Sequence, residues 1–254
     1  DWSSDVCSSD LIRSISSSQK LNKSHYMLSF WLEEIERIYS TNVDIYPHNS
    51  DCRELGIFLN NHDISADYLI EMINGQKMDL NNEMVFPTIE KLDLYCYRVA
   101  SCVGIISAKI FGYNKNNEEK ITNFATNLGK YFQYINILRD FEEDFINGRI
   151  YIPLELFHKF GVDHLEIEFK KNNLVKIKQN LKPIFYELSN MAKSHYQAAF
   201  DNLPDEEMEN MRPALLMEKI YSKYLYIMEA KKFEFQRRDI SLSLWQKFQI
   251  FFRL

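Results

Sequence analysis

Gln133-Tyr134-Ile135-Asn136-Ile137-Leu138-Arg139-Asp140-Phe141-Glu142-Glu143-Asp144 is the stretch on which the reading of this chain turns. Taken as a helix at 100° per residue, it places Gln133, Asn136, Asp140 and Asp144 within an arc of about 80°. Ile137, Leu138, Phe141 and Phe145 occupy the adjoining arc, so two amides and two carboxylates line up beside an apolar surface. Carboxylates at i and i+4 have Cβ atoms about 6 Å apart, a separation that a hard divalent cation can bridge. Mg²⁺ suits such a site because it keeps positions open for water and phosphate oxygens. An isolated DxxxD pair is more often a solvated acidic face, and its neighbours decide between the two readings.

Gly148-Arg149-Ile150-Tyr151-Ile152-Pro153 follows and breaks the helix, which sets Arg149 and Tyr151 beyond its acidic end. A helix C-terminus repels anions, so two aspartates there are unfavourable unless a cation accompanies them. Further out, the hydrophobic spacing predicts helices over about 26–39, 51–59, 65–73, 89–111, 118–145, 153–160, 174–202 and 204–232, with a last short one over 244–252. Asp51 is read as the cap of the second, Asp63 or Ser65 as the cap of the third, and the 118–145 helix as the longest. The Asp63/Asp67 pair is read as capping. Pro183 and Pro213 are expected to kink or break their helices. Ala100, Ser101, Gly104, Ser107 and Ala108 put small residues along the 89–111 helix, which predicts close approach of a neighbour.

Scarce turn residues, 7 Gly and 6 Pro in 254, argue against an all-β chain and for one all-α domain. The net charge of −6 lacks the basic excess of a nucleic-acid binder. Cys7, Cys52, Cys96 and Cys102 show no metal or disulfide spacing, which points to a reducing, cytoplasmic setting. No stretch reaches about 18 uninterrupted apolar residues.

The motif Gln133-x-x-Asn136-x-x-Arg139-Asp140-x-x-Glu143-Asp144-x-x-x-Gly148-Arg149-x-Tyr151-x-Pro153 resembles the second aspartate-rich motif of the squalene and phytoene synthases. Tyr95-Cys96-Tyr97-Arg98-Val99-Ala100-Ser101-Cys102-Val103-Gly104 is similar to the family's YCYxVAGxVG helix, with Ser101 in place of the usual Gly. The segment 69–79 resembles what precedes that helix, and Met211 to Tyr221, Arg237-Arg238 and the Lys247 region resemble the presqualene-forming bacterial branch. The resemblance covers roughly residues 31–252. It implies an all-α isoprenoid-synthase bundle in which two aspartate-rich helices face each other across an apolar cavity and hold an allylic diphosphate through Mg²⁺. Carried over residue by residue, it implies Asn136, Asp140 and Asp144 as metal ligands. Gln133, Asn136, Arg149, Tyr151, Tyr221 and Arg238 are implied as substrate contacts, and Tyr95 and Arg139 as catalytic groups. The implied substrate is a prenyl diphosphate, with farnesyl diphosphate favoured over the C20 geranylgeranyl diphosphate used by phytoene synthases. Peripheral association with the inner membrane is left open by the resemblance. The wider family also includes non-catalytic assembly factors that lack the aspartates, whereas Asp140 and Asp144 are both present here.

Residues 1–11 have neither helical nor strand periodicity and are similar to the translation of a sequencing-library adaptor. The family's first aspartate-rich motif belongs on a helix before Trp31, and the sequence shows no such helix there, so residues 12–254 are expected to be a single helical domain missing its first helices. On that expectation the 254-residue chain shows little or no turnover of prenyl diphosphates and self-associates through uncovered apolar faces. Robust turnover, or a monodisperse monomer by light scattering, contradicts it.

Overall fold

The computed structural model describes residues 18–42, 44–164, 174–240 and 242. The 1–11 segment and the 244–252 helix expected from sequence lie outside them. Among the described residues the chain is helical throughout, with one isolated parallel bridge between Val85 and Ile150. It divides into two compact units, Asp1–Glu83 and Met84–Leu254.

The first unit holds α1 (Ser18–Ile38), α2 (Ser50–Asn61) and α3 (Ala66–Leu80). Asn49, not Asp51, caps α2: its side chain accepts the Cys52 N–H at 2.9 Å, while Asp51 sits in the first turn where its charge complements the helix dipole. Ser65 caps α3 by accepting the Asp67 N–H at 3.2 Å, so the Asp63/Asp67 pair belongs to a helix start. Leu28, Ile35, Ile73 and Leu80 form the core between α1 and α3. Glu34 of α1 is fully buried. Burial alone would raise its pKa, but hydrogen bonds from His48 and Cys52 hold the carboxylate below the usual range.

The second unit opens with α4 (Ile89–Cys96), capped by Thr88. A π-helical turn, Tyr97–Ser101, joins it to α5 (Cys102–Phe111). Then come α6 (Glu118–Arg139), α7 (Phe141–Ile146) and α8 (Leu154–Phe160), the last ending on Gly161 with φ 64° as its spacing suggests. The longest helix is α9 (Leu174–Phe200), not the 118–145 stretch, which is interrupted at Asp140. Pro183 sits inside α9 without dividing it. Pro213 makes no kink either: α10 (Arg212–Ala230) starts there, where a missing N–H costs nothing.

The 89–111 stretch is long and apolar enough to cross a bilayer by composition alone. Part of its apolar surface serves packing, since Leu92, Tyr95, Cys96, Cys102, Ile105 and Ala108 are buried, while Leu94, Val103 and Phe111 are exposed. It lies on α6 at backbone contact. A Cβ on Gly104 would stand 2.8 Å from the Ala125 carbonyl oxygen, and one on Gly129 only 2.7 Å from that of Ala100. Ser101 uses its small size differently, donating its hydroxyl to the Thr126 carbonyl at 2.7 Å. A methyl at Gly129 meets main chain that cannot yield, so Gly129→Ala should cost about 3 kcal/mol, the upper end of overpacking costs. Ser101→Ala, which removes one hydrogen bond, should cost about 1 kcal/mol. Urea unfolding midpoints test both, and an unshifted midpoint for Gly129→Ala would mean the two helices stand further apart.

Candidate functional site

The candidate site grows from the junction of α6 and α7. Asp140 leaves helical geometry (φ −98°, ψ 8°), yet the ladder continues across it. Its N–H bonds the Asn136 carbonyl at 2.8 Å, and its carbonyl accepts the Asp144 N–H at 2.9 Å. The polar face predicted from spacing therefore survives a one-residue break. After α7, Gly148 adopts φ 79° and the Arg149 N–H reaches back to the Asp144 carbonyl at 2.8 Å. That turn brings the Arg149 guanidinium to 3.5 Å from the Asp144 carboxylate. The segment beyond it is fixed by the Phe86 N–H bonding the Ile150 carbonyl at 2.9 Å.

Asp140 is held by two arginines. Arg139 binds it in a fork, Nε to Oδ1 at 2.9 Å and Nη2 to Oδ2 at 2.6 Å. Arg237, from the segment after α10, places Nε 3.2 Å from Oδ1 and also pairs with Glu143. Arg139 lies over the Tyr224 ring at 5.7 Å. Burial would weaken its charge, but the bonds and charge of Asp140 hold its pKa above even the ordinary arginine value. Asn136 donates its amide Nδ2 to Gln133 at 3.3 Å, while its Oδ1 is buried without a hydrogen-bond partner.

The residues expected from sequence fall into three groups. Gln133, Asn136, Arg139, Asp140, Asp144 and Arg149 form three side-chain pairs along the α6–α7 run: Asn136 with Gln133, Arg139 with Asp140 and Arg149 with Asp144. Tyr95 and Tyr151 stack with ring centroids 5.2 Å apart, both buried. Tyr221 packs on Phe132 at 4.4 Å and on Tyr224 at 5.9 Å, which links it to the cluster through Arg139. The Arg238 side chain lies outside the described residues. Tyr224, Glu143 and Arg237 are neighbours that spacing alone does not single out as site residues. Tyr224 follows Tyr221 by three positions on α10, which is the one local signal that could have found it.

Among the described residues no three carboxylate, histidine or cysteine side chains converge as a ready-made cation site. The donor set present is two carboxylates and an amide, all oxygen, and the buried Asn136 Oδ1 lacks any hydrogen-bond donor. That set fits Mg²⁺, which takes few protein ligands and completes its shell with water and substrate phosphate. Asn136, Asp140 and Asp144 could hold the ion, and the flanking arginines could take an anionic group beside it.

The family model for squalene/phytoene synthase matches residues 11–246. The presqualene diphosphate synthase of Rhodopseudomonas palustris is 31% identical over 179 residues, 70% of this chain and 61% of that protein. The enzyme of the same name from Zymomonas mobilis is 35% identical over 171 residues, covering 67% and 56%. The chain thus spans about three fifths of the length of these curated relatives. A crystal structure of a dehydrosqualene synthase in complex with ligand superposes with a TM-score of 0.68 at 25% identity, covering 96% of this chain and 80% of that one. With the aspartate-rich helix, the glycine-mediated helix contact and the all-α architecture, these matches show that the chain belongs to the squalene/phytoene synthase family.

Proposed function

We propose that this chain carries the diphosphate-binding half of a head-to-head prenyltransferase that couples two farnesyl diphosphates to presqualene diphosphate. The observation that carries the reading is the polar cluster of Asn136, Asp140 and Asp144, where a buried amide oxygen has no donor and the carboxylates are paired with arginines. The names of the relatives from Rhodopseudomonas and Zymomonas support the choice of product.

The coupling releases one diphosphate and one proton, and the second diphosphate stays on the cyclopropyl C30 product. Asn136, Asp140 and Asp144 would hold Mg²⁺, which would supply Lewis-acid neutralisation of the departing diphosphate. Gln133 orients the Asn136 amide so that its oxygen, not its nitrogen, is left for the ion. Arg139 and Arg149 fix the two carboxylates and offer N–H groups to phosphate oxygens alongside them. The stacked Tyr95 and Tyr151 present aromatic faces for an allylic cation, and the Tyr95 hydroxyl, 3.5 Å from that of Tyr151, orients substrate or assists removal of the proton. Tyr221 and Arg238 complete the proposed diphosphate contacts. The reading sets the reaction in the cytoplasm and leaves association with the inner membrane open.

In a full-length synthase carrying this sequence, Asp140→Asn should remove a ligand charge, lower turnover at least about 10²-fold and weaken Mn²⁺ binding in equilibrium titration. Near-wild-type values of both sink the ligand assignment.

The product is read separately. The 15-cis-phytoene synthase of a Synechocystis strain is 40% identical over 106 residues, so a C20 substrate is the specific rival. A pocket discriminates added methylenes by only about 1 to 3 kcal/mol each. Incubating a full-length synthase that carries this sequence with Mg²⁺ and farnesyl or geranylgeranyl diphosphate in turn, without NADPH, should give the cyclopropyl C30 diphosphate from the farnesyl substrate. Phytoene with no C30 product overturns the choice.

A further inference from the structure

Asp140 has more cationic partners than it needs. Arg139 alone satisfies both carboxylate oxygens through its fork, and its side chain is only 15% exposed, braced by the Tyr224 ring. Arg237 adds a second positive charge at Oδ1 from a segment almost a hundred positions away in sequence. Its side chain is 45% exposed and is shared with Glu143, one turn on from Asp140 in the same acidic run. The segment that delivers it is itself fastened down. Lys178, buried, donates to Glu142 Oε1 at 2.9 Å and to the Phe235 carbonyl, and its ammonium lies 4.6 Å from the Phe235 ring centre. A short 3-10 turn, Arg237–Ile240, follows, in which the Asp239 carboxylate accepts the Gln236 N–H at 2.9 Å.

We propose that Arg237 is a resident counter-ion of the metal site: it neutralises Asp140 while no divalent cation is bound and yields Oδ1 to the cation, remaining held by Glu143. This rests on the metal reading above. Of the two arginines, Arg237 is the one able to leave. It makes a single contact with Asp140, has solvent on one side and keeps a carboxylate partner after moving, whereas Arg139 would break a bidentate pair and an aromatic contact. The arrangement answers a physical difficulty, since acidic side chains gathered at a helix end repel one another until a cation arrives. Holding the site this way has a consequence for affinity. The cation must displace a guanidinium and then sit beside its positive charge, so Arg237 weakens metal binding.

Arg237→Gln should therefore tighten Mn²⁺ binding about tenfold, as expected for removing one positive charge about 5 Å from a divalent ion near water. Free Mn²⁺ is read by electron paramagnetic resonance in titrations of the full chain at fixed ionic strength. Arg212→Gln removes the same formal charge at the exposed start of α10 and should leave affinity unchanged. Asp140→Asn tests the underlying site. Tightening in Arg237→Gln alone, lost when Asp140→Asn is added, supports the proposal. Unchanged or weaker affinity in Arg237→Gln, or equal tightening in both arginine variants, overturns it while the metal site stands. Mn²⁺ binding that ignores Asp140→Asn, or that is absent from every variant, overturns the metal reading and this inference with it.

Discussion

The contact on which the second unit depends is one between main chains. At Gly104 against Ala125, and at Gly129 against Ala100, two helices touch with no side chain between them. The helix that carries Tyr95 and the helix that carries Gln133, Asn136 and Arg139 are joined there. Main chain cannot adapt as a leucine can, so the joint sets their spacing with little tolerance. Residues above and below it then pack as an ordinary core, with Leu92, Ile105, Ile121, Phe124 and Leu128 all buried.

On that rigid base the acidic end of α6 and α7 is an electrostatic problem with a local answer. Asp140, Glu142, Glu143 and Asp144 follow one another within five positions, and each has a basic partner: Arg139 and Arg237, Lys178, Arg237, and Arg149. The partners come from three different parts of the chain. The charges are thereby balanced without any of them being removed from reach of an incoming ligand, since Asp140 and Asp144 keep 18% and 17% of their side-chain surface exposed. The buried Asn136 oxygen has no hydrogen-bond partner.

Much of this is legible in sequence because it is local. Helical spacing placed Gln133, Asn136, Asp140 and Asp144 on one face, the small residues at 100–108 marked the close-packed side, and Gly161 ended its helix as expected. What escaped is of two kinds. Some features depend on a balance too fine for patterning, such as Asn49 competing with Asp51 for the cap, the single non-helical residue at Asp140, or Pro213 serving as a start. Others join distant positions: Arg237 and Lys178 have no periodic relation to the acidic run they neutralise, and only folding reveals the pairing. The family resemblance bridged part of that gap: it drew attention to Arg237-Arg238, but it implied a substrate contact for Arg238 and no partner for Arg237.

The π-helical turn at Tyr97–Ser101 alters the phase of its helix. Each wide turn holds one residue more than an α-turn, so everything before it is rotated by about 100° relative to everything after it. Gly104 and Tyr95 lie on opposite sides of this turn, and the faces they present are set by it. A one-residue deletion within 97–101 would regularise the helix, keep its composition and leave Gly104 against Ala125, yet it would swing Tyr95 off Tyr151. The stretch thus behaves as a register mark: a change in length there alters which residues meet, while the same change in a loop would be absorbed.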